Sequence, residues 1–175
     1  MNKIDIKKQL LNFTQNAVDQ FLKDNPTLEY YGFAYDCNAE YAEVNLCFNT
    51  ENYFEKTLTE YQSKYPDSYK SEGEIKSLKF NPGDWEYQCF DTFYVLTDEE
   101  LTKIFGEMPE DDYLSWNEFV EKLFKIFCEC LIDFTNTESF KKIPKTKGFH
   151  IFCIDHDENL DIALERMGKV NAKYS

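Results

Sequence analysis

Two short runs between residues 28 and 49, LEYYGFAYDCNAEYAEVNLCFN, constrain this chain more than any other stretch. They read as strands joined by a short loop. With Cys37-Asn38-Ala39-Glu40 as the loop, Asp36 faces Tyr41, Tyr35 faces Ala42, Phe33 faces Val44, Tyr31 faces Leu46 and Glu29 faces Phe48. Strand side chains alternate between faces with period two, so this register gathers Tyr31, Phe33, Tyr35, Val44, Leu46 and Phe48 on one face. The other face carries Tyr30, Gly32, Ala34 and Asp36 beside Tyr41, Glu43, Asn45 and Cys47. The first face predicts a core layer. On the second, Gly32 and Ala34 leave room that Tyr30, Tyr41, Glu43 and Asn45 surround, so a binding surface is expected there.

Helical periodicity flanks the hairpin. Ile6, Leu10, Phe13, Ala17 and Phe21 recur at three- and four-residue spacing over residues 4–24, and Asn25-Pro26 ends that helix. Asn49 or Thr50 caps a second helix running to about Tyr65. Residues 74–80 alternate enough for a third strand, and residues 88–96 fit either period. Thr97-Asp98-Glu99-Glu100 and Ser115-Trp116-Asn117-Glu118 are capping boxes, the second opening the longest helix. That helix carries Trp116, Phe119, Val120, Leu123, Phe124, Phe127, Leu131 and Phe134 on one stripe, and a restart near Thr137 is compatible with the pattern. Lys145-Thr146-Lys147-Gly148 reads as a turn. The run 149–154 follows as a strand apolar on both faces save His150, of the kind that sits inside a sheet. A last helix carries Leu160, Ala163, Leu164 and Met167. The expectation is an α+β fold: a mixed, largely antiparallel sheet of about four strands with helices packed on it, in one domain spanning residues 1–175.

At this length the scaling of surface with mass buries about 70% of the unfolded chain's surface, so no disulfide or metal is needed for a core. The six cysteines, at 37, 47, 89, 128, 130 and 153, include no C-x₂₋₄-C pair. They read as reduced, buried thiols. No apolar run approaches the ~18 residues of a membrane span, and the N-terminus lacks a signal peptide's apolar core, so the cytoplasm is the expected location.

Charge narrows the partners. The net charge is -14, and residues 84–138 hold 15 acids against 3 lysines. Such a surface repels phosphate backbones, which argues against nucleic acid, and it favours a basic protein. The glycines are too dispersed for a phosphate-cradling loop, and there is no G-x-S-x-G elbow. No cofactor is indicated. Two candidate constellations remain. One is the Asn81-Pro82-Gly83 turn, which presents Asp84, Trp85, Glu86 and Tyr87 as a recognition patch. The other is Asp155-His156-Asp157 at a strand end, whose carboxylates and imidazole can bind a divalent ion. Asp157 equally reads as a helix N-cap.

Tyr30-Tyr31-Gly32-Phe33-Ala34 before the hairpin, Asn49-Thr50-Glu51 opening a helix, and Asn81-Pro82-x-Asp84-Trp85-x-Tyr87 resemble a bacterial family of unknown function of about this length. Its members carry a Tyr-Gly-Phe-Ala strand and a Trp-Ser-Pro-Ala-Glu-Trp-x-Tyr-Glu stretch. This chain departs with Phe80, Gly83 and Gln88 in place of the first Trp, the Ala and the last Glu. The resemblance covers roughly residues 5–135 and implies an intracellular α/β domain, with no catalytic residue. The expected function is therefore a non-enzymatic binding module, of the immunity type that masks a basic toxin or nuclease. The binding residues expected are Tyr30, Tyr41, Glu43, Asn45, Asp84, Trp85, Glu86 and Tyr87. The alternative is a small metal-dependent hydrolase using Asp155, His156 and Asp157.

Overall fold

The first helix, α1 (Lys3–Asp24), forms where the apolar spacing predicts it, burying Ile6, Leu10, Ala17, Val18 and Phe21 along one stripe. The Asn25 amide and side chain both donate to the Phe21 carbonyl and close its last turn. This is a computed structural model that describes residues 3–107, 113–156 and 158–174.

The hairpin forms, with a different register. β1 (Tyr30–Asn38) runs through Cys37 and Asn38, a 3₁₀ turn covers Ala39–Tyr41, and β2 (Glu43–Asn49) follows. Ala42 takes a left-handed φ of 52° and donates to the Ala39 carbonyl. Phe33 therefore faces Phe48, Tyr35 faces Leu46 and Cys37 faces Val44, a slip of four residues from the predicted pairing. An even slip leaves every side chain on its predicted face, so the apolar layer survives. Tyr31 is the exception. The β1–β4 pairing shifts between Tyr30 and Gly32, and Tyr30 joins the first face while Tyr31 turns to the second.

The helix α2 (Glu51–Lys64) starts at Thr50, whose hydroxyl accepts from the Tyr53 amide at 3.2 Å. A helix, α3 (Glu72–Lys79), replaces the predicted third strand. Ser71 and Glu74 form a reciprocal capping box there, and Ile75 and Leu78, three apart, share its inner side. After a 3₁₀ turn at Pro82–Asp84, the ambiguous stretch becomes β3 (Tyr87–Tyr94). The Thr97–Glu100 box opens α4 (Asp98–Glu107) as predicted. α5 (Tyr113–Phe134) begins before Ser115, so the second Ser-x-x-Glu lies inside a helix rather than at its start, a placement where residues three apart simply share a face. Thr137 caps the short α6 (Glu138–Lys142). The predicted turn at 145–148 is already strand: β4 is Lys145–Asp155. The last helix, α7 (Leu160–Tyr174), is capped by Asn159, which accepts from the Ile162 amide at 3.1 Å; Asp157 lies outside the described residues.

The strands lie in the order β3-β2-β1-β4, with β1–β2 and β2–β3 antiparallel and β1–β4 parallel. The fold is α+β on a mixed, largely antiparallel sheet. β4 is an edge strand, not an interior one. Its apolar run is buried because helices cover both sides: Phe152 and Ile154 join the second-face core and Cys153 the first. The first face packs Phe33, Tyr35, Leu46 and Phe48 against Phe21 of α1 and Phe127, Leu131 and Phe134 of α5. Among the described residues, no helix is long and apolar enough to cross a membrane.

Candidate functional site

The second face of the sheet divides into two ends. At the Gly32 end it is sealed. Trp85 is 1% exposed, and its ring lies so close to Gly32 that a Cβ there would sit 2.8 Å from Trp85 Cη2. The indole Nε1 and the Tyr31 hydroxyl both donate to the Lys79 carbonyl, at 2.9 and 2.5 Å, and satisfy the open end of α3. Asn49, also buried, ties the seal together: its side chain donates to the Tyr31 hydroxyl at 2.9 Å and accepts from the Glu86 amide at 3.2 Å. Phe54, Leu78, Phe80 and Phe152 complete this second core.

The hairpin end is polar. Asn38 and Asn45 both donate to Glu43 Oε1, and Thr92 donates to Asn45 Oδ1 at 2.6 Å, linking β1, β2 and β3. Tyr94, which pairs with Glu43 across the ladder, is 62% exposed, and Tyr41 is 66% exposed. His156 leaves β4 with its amide still bonded to the Cys37 carbonyl, and its Nδ1 lies 3.2 Å from Asp36 Oδ2. Asp36 is buried. A cavity of about 580 Å³ opens here, lined by Asn38, Glu40, Tyr41, Asp155, His156 and Glu158 among others. Glu158 also holds Arg166 in a two-point ion pair.

Two thiols lie where the polar end meets the second core, to which Cys47 belongs. Cys47 is buried and Cys89 exposed, and the Cys89 amide donates to Cys47 Sγ at 3.3 Å. Cys89 has a φ of 50°, in the left-handed region that a side chain rarely adopts, where the β2–β3 register shifts between Leu46 and Phe48. Interaction between the thiols pushes the Cys47 pKa up, burial adding to it, and holds that of Cys89 below the usual thiol range.

The eight residues expected to bind a partner are not one patch. Tyr41, Glu43 and Asn45 lie at the hairpin end. Asp84, Trp85, Glu86 and Tyr87 lie towards the other end, Tyr87 pairing with Phe48 five residues along β2 from Glu43, roughly 17 Å at strand rise. Tyr30 is fully buried in the first-face core, against Phe48 and Phe21. The Trp85 side chain belongs to the second core; Glu86 is exposed and Tyr87 half-buried. The room that Gly32 leaves is real and is filled by the indole. Of the Asp155-His156-Asp157 set, His156 turns to Asp36. The proximity of Cys47, Cys89 and Asp36 was not legible from spacing, because they come from three strands; the β2–β3 register is the signal that brings the thiols together.

A family model described as Domain of unknown function (DUF4303) matches residues 10–172. The chain belongs to that family. The match reaches beyond the motif-bearing region to include β4 and most of α7, so the family unit contains both ends of the second face. No curated protein and no solved structure matches the chain.

Proposed function

We propose that this protein is a non-enzymatic binding module that takes a basic protein partner at the hairpin end of the second sheet face. The observation that carries this reading is the pair of largely exposed tyrosines, Tyr41 and Tyr94, beside Glu40 and Glu43 and the cavity that Glu40 and Asp155 line. Tyrosine supplies rigid contact area at interfaces, and carboxylates around a concave site suit a lysine or arginine side chain. The net charge of -14 extends that attraction beyond contact range. Of the sequence-derived binding residues, Tyr41 and Glu43 belong to this surface, and buried Asn45 supports it by donating to Glu43. An immunity-type protein, which masks a basic toxin or nuclease, is the kind of module such a surface suits, and its place of action in this reading is the cytoplasm. The hydrolase alternative draws here on His156, which the structure turns towards Asp36.

The test compares the wild-type chain with a Glu40→Lys/Tyr41→Ala double variant as baits for basic proteins at low ionic strength. The expected result is a basic partner whose association slows about tenfold or more as salt rises, and whose retention the double variant abolishes. Association indifferent to both salt and the double variant sinks the reading.

A further inference from the structure

Three neighbouring strands each bring one metal-ligating group to the hairpin end: Asp36 from β1, Cys47 from β2 and Cys89 from β3. A carboxylate oxygen and the two Sγ atoms lie within 4.8 Å of one another, the one such group of three among the described residues. Thiolate sulfur binds zinc at ~2.3 Å and carboxylate oxygen at ~2.0–2.2 Å, so the ligand atoms of a tetrahedral ion sit roughly 3.3–3.8 Å apart. The gap to close is small, and Cys89, the exposed member, has the freedom to close it while Asp36 and Cys47 are held by burial.

The local backbone favours the same outcome. The register shift in β2–β3 and the left-handed φ of Cys89 aim its side chain at Cys47, at a cost in backbone energy that an ordinary strand avoids. The Cys89 amide donates to Cys47 Sγ, a contact that favours negative charge on the sulfur. His156 Nδ1 lies 3.2 Å from Asp36 Oδ2, the outer-layer hydrogen bond that orients a carboxylate ligand.

We propose that Asp36, Cys47 and Cys89 form a binding site for a divalent cation of the zinc class, with His156 as the residue positioning Asp36. Two thiolates and one carboxylate select a borderline-soft ion over calcium or magnesium, which take oxygen ligands. Binding releases the two thiol protons to solvent. Three protein ligands leave the fourth position of a tetrahedral ion to water or to a group from outside, and Cys89 at the surface gives the ion its way in. The site does not depend on the basic partner, and its test uses the isolated chain.

The full chain, reduced and stripped by a chelator, is titrated with Co²⁺. The expected result is a sulfur-to-cobalt charge-transfer absorption that saturates at one equivalent and is bleached by Zn²⁺. Cys89→Ser, an exposed position whose fold far-ultraviolet circular dichroism verifies, is expected to lose the band. His156→Ala is expected to weaken Co²⁺ binding about tenfold or more with the band's shape retained. No band at one equivalent, or a band of full intensity in folded Cys89→Ser, overturns the proposal.

Discussion

Gly32 and Asp36 point from the same face of β1, yet Gly32 lies under the Trp85 indole while Asp36 meets an imidazole and stands beside two thiols. The sealed end contains Tyr31, Phe80, Trp85 and Phe152 and has its polar atoms matched within the seal. The hairpin end links Glu43, buried Asn45 and Thr92 by hydrogen bonds and leaves Tyr41, Tyr94 and Cys89 exposed. Burying apolar rings stabilises a domain, whereas burying polar groups costs free energy unless every one is hydrogen-bonded. One end of the face therefore carries stability, and the other is free to carry recognition. The one exposed cysteine has a positive φ at the polar end, while Gly32 is chosen for space and not for conformation, since its φ is not positive.

The largest effect expected from this division is that of Trp85→Ala, which empties the space over Gly32 and exposes the Lys79 carbonyl. A loss of about 3–5 kcal/mol in chemical denaturation is expected. A loss below about 1 kcal/mol breaks the assignment of that end as the second core. Gly32→Ala is expected to cost about 1–3 kcal/mol by overpacking, because the new Cβ meets a ring held on all sides. Combining Gly32→Ala with Trp85→Phe, which withdraws the six-membered ring, should recover part of the Gly32→Ala loss, and no recovery disproves the direct contact.

A smaller effect follows from Tyr61, whose hydroxyl donates to Asp84 Oδ1 at 2.6 Å and ties α2 to the turn leading into Trp85. The hydrogen bond to that carboxylate pushes the Tyr61 pKa up from 10.0 to about 12. The folded value lies above the unfolded one, so this contribution is present in full below pH 10 and is lost as pH rises towards 12. Measured between those limits, the alkaline loss of stability should be shallower in Tyr61→Phe than in the wild type; identical slopes remove Tyr61 from the tether. The smallest stability effects belong to the polar end. Tyr41→Ala and Tyr94→Ala are expected within about 0.5 kcal/mol of the wild type, because both rings are largely exposed. Differential scanning of either variant that shows a loss comparable to Gly32→Ala would erase the distinction between the two ends.

Much of the first face was legible. Phe33, Tyr35, Val44, Leu46 and Phe48 occupy the predicted core side, under the helix whose stripe runs from Leu123 to Phe134. The Thr97 cap is legible because it is a contact within four residues; of Asn49 and Thr50 it is Thr50 that caps α2, and the restart near Thr137 is the cap of α6. Residues 74–80 misled because Ile75, Leu78 and Phe80 fit an alternating pattern loosely, while the Ser71–Glu74 box that starts a helix lies in a stretch that reads as loop. The candidate site was half legible. Glu43 and Asn45 take the second face as expected and Tyr41 lies in the 3₁₀ turn beyond the strand, whereas Trp85, expected in a recognition patch, closes the other end.

Alternation by itself determined which side of the sheet most hairpin residues take, since a strand's faces repeat every two residues and any even slip preserves them. Composition by itself determined the acidic character, a net charge of -14. Only the tertiary structure decided the register, through the 3₁₀ turn at Ala39–Tyr41 and the left-handed Ala42, and with it which residues meet across the strands. Only the tertiary structure brought Asp36, Cys47, Cys89 and His156 together, because they come from separate strands or strand ends and no local spacing records a contact between them.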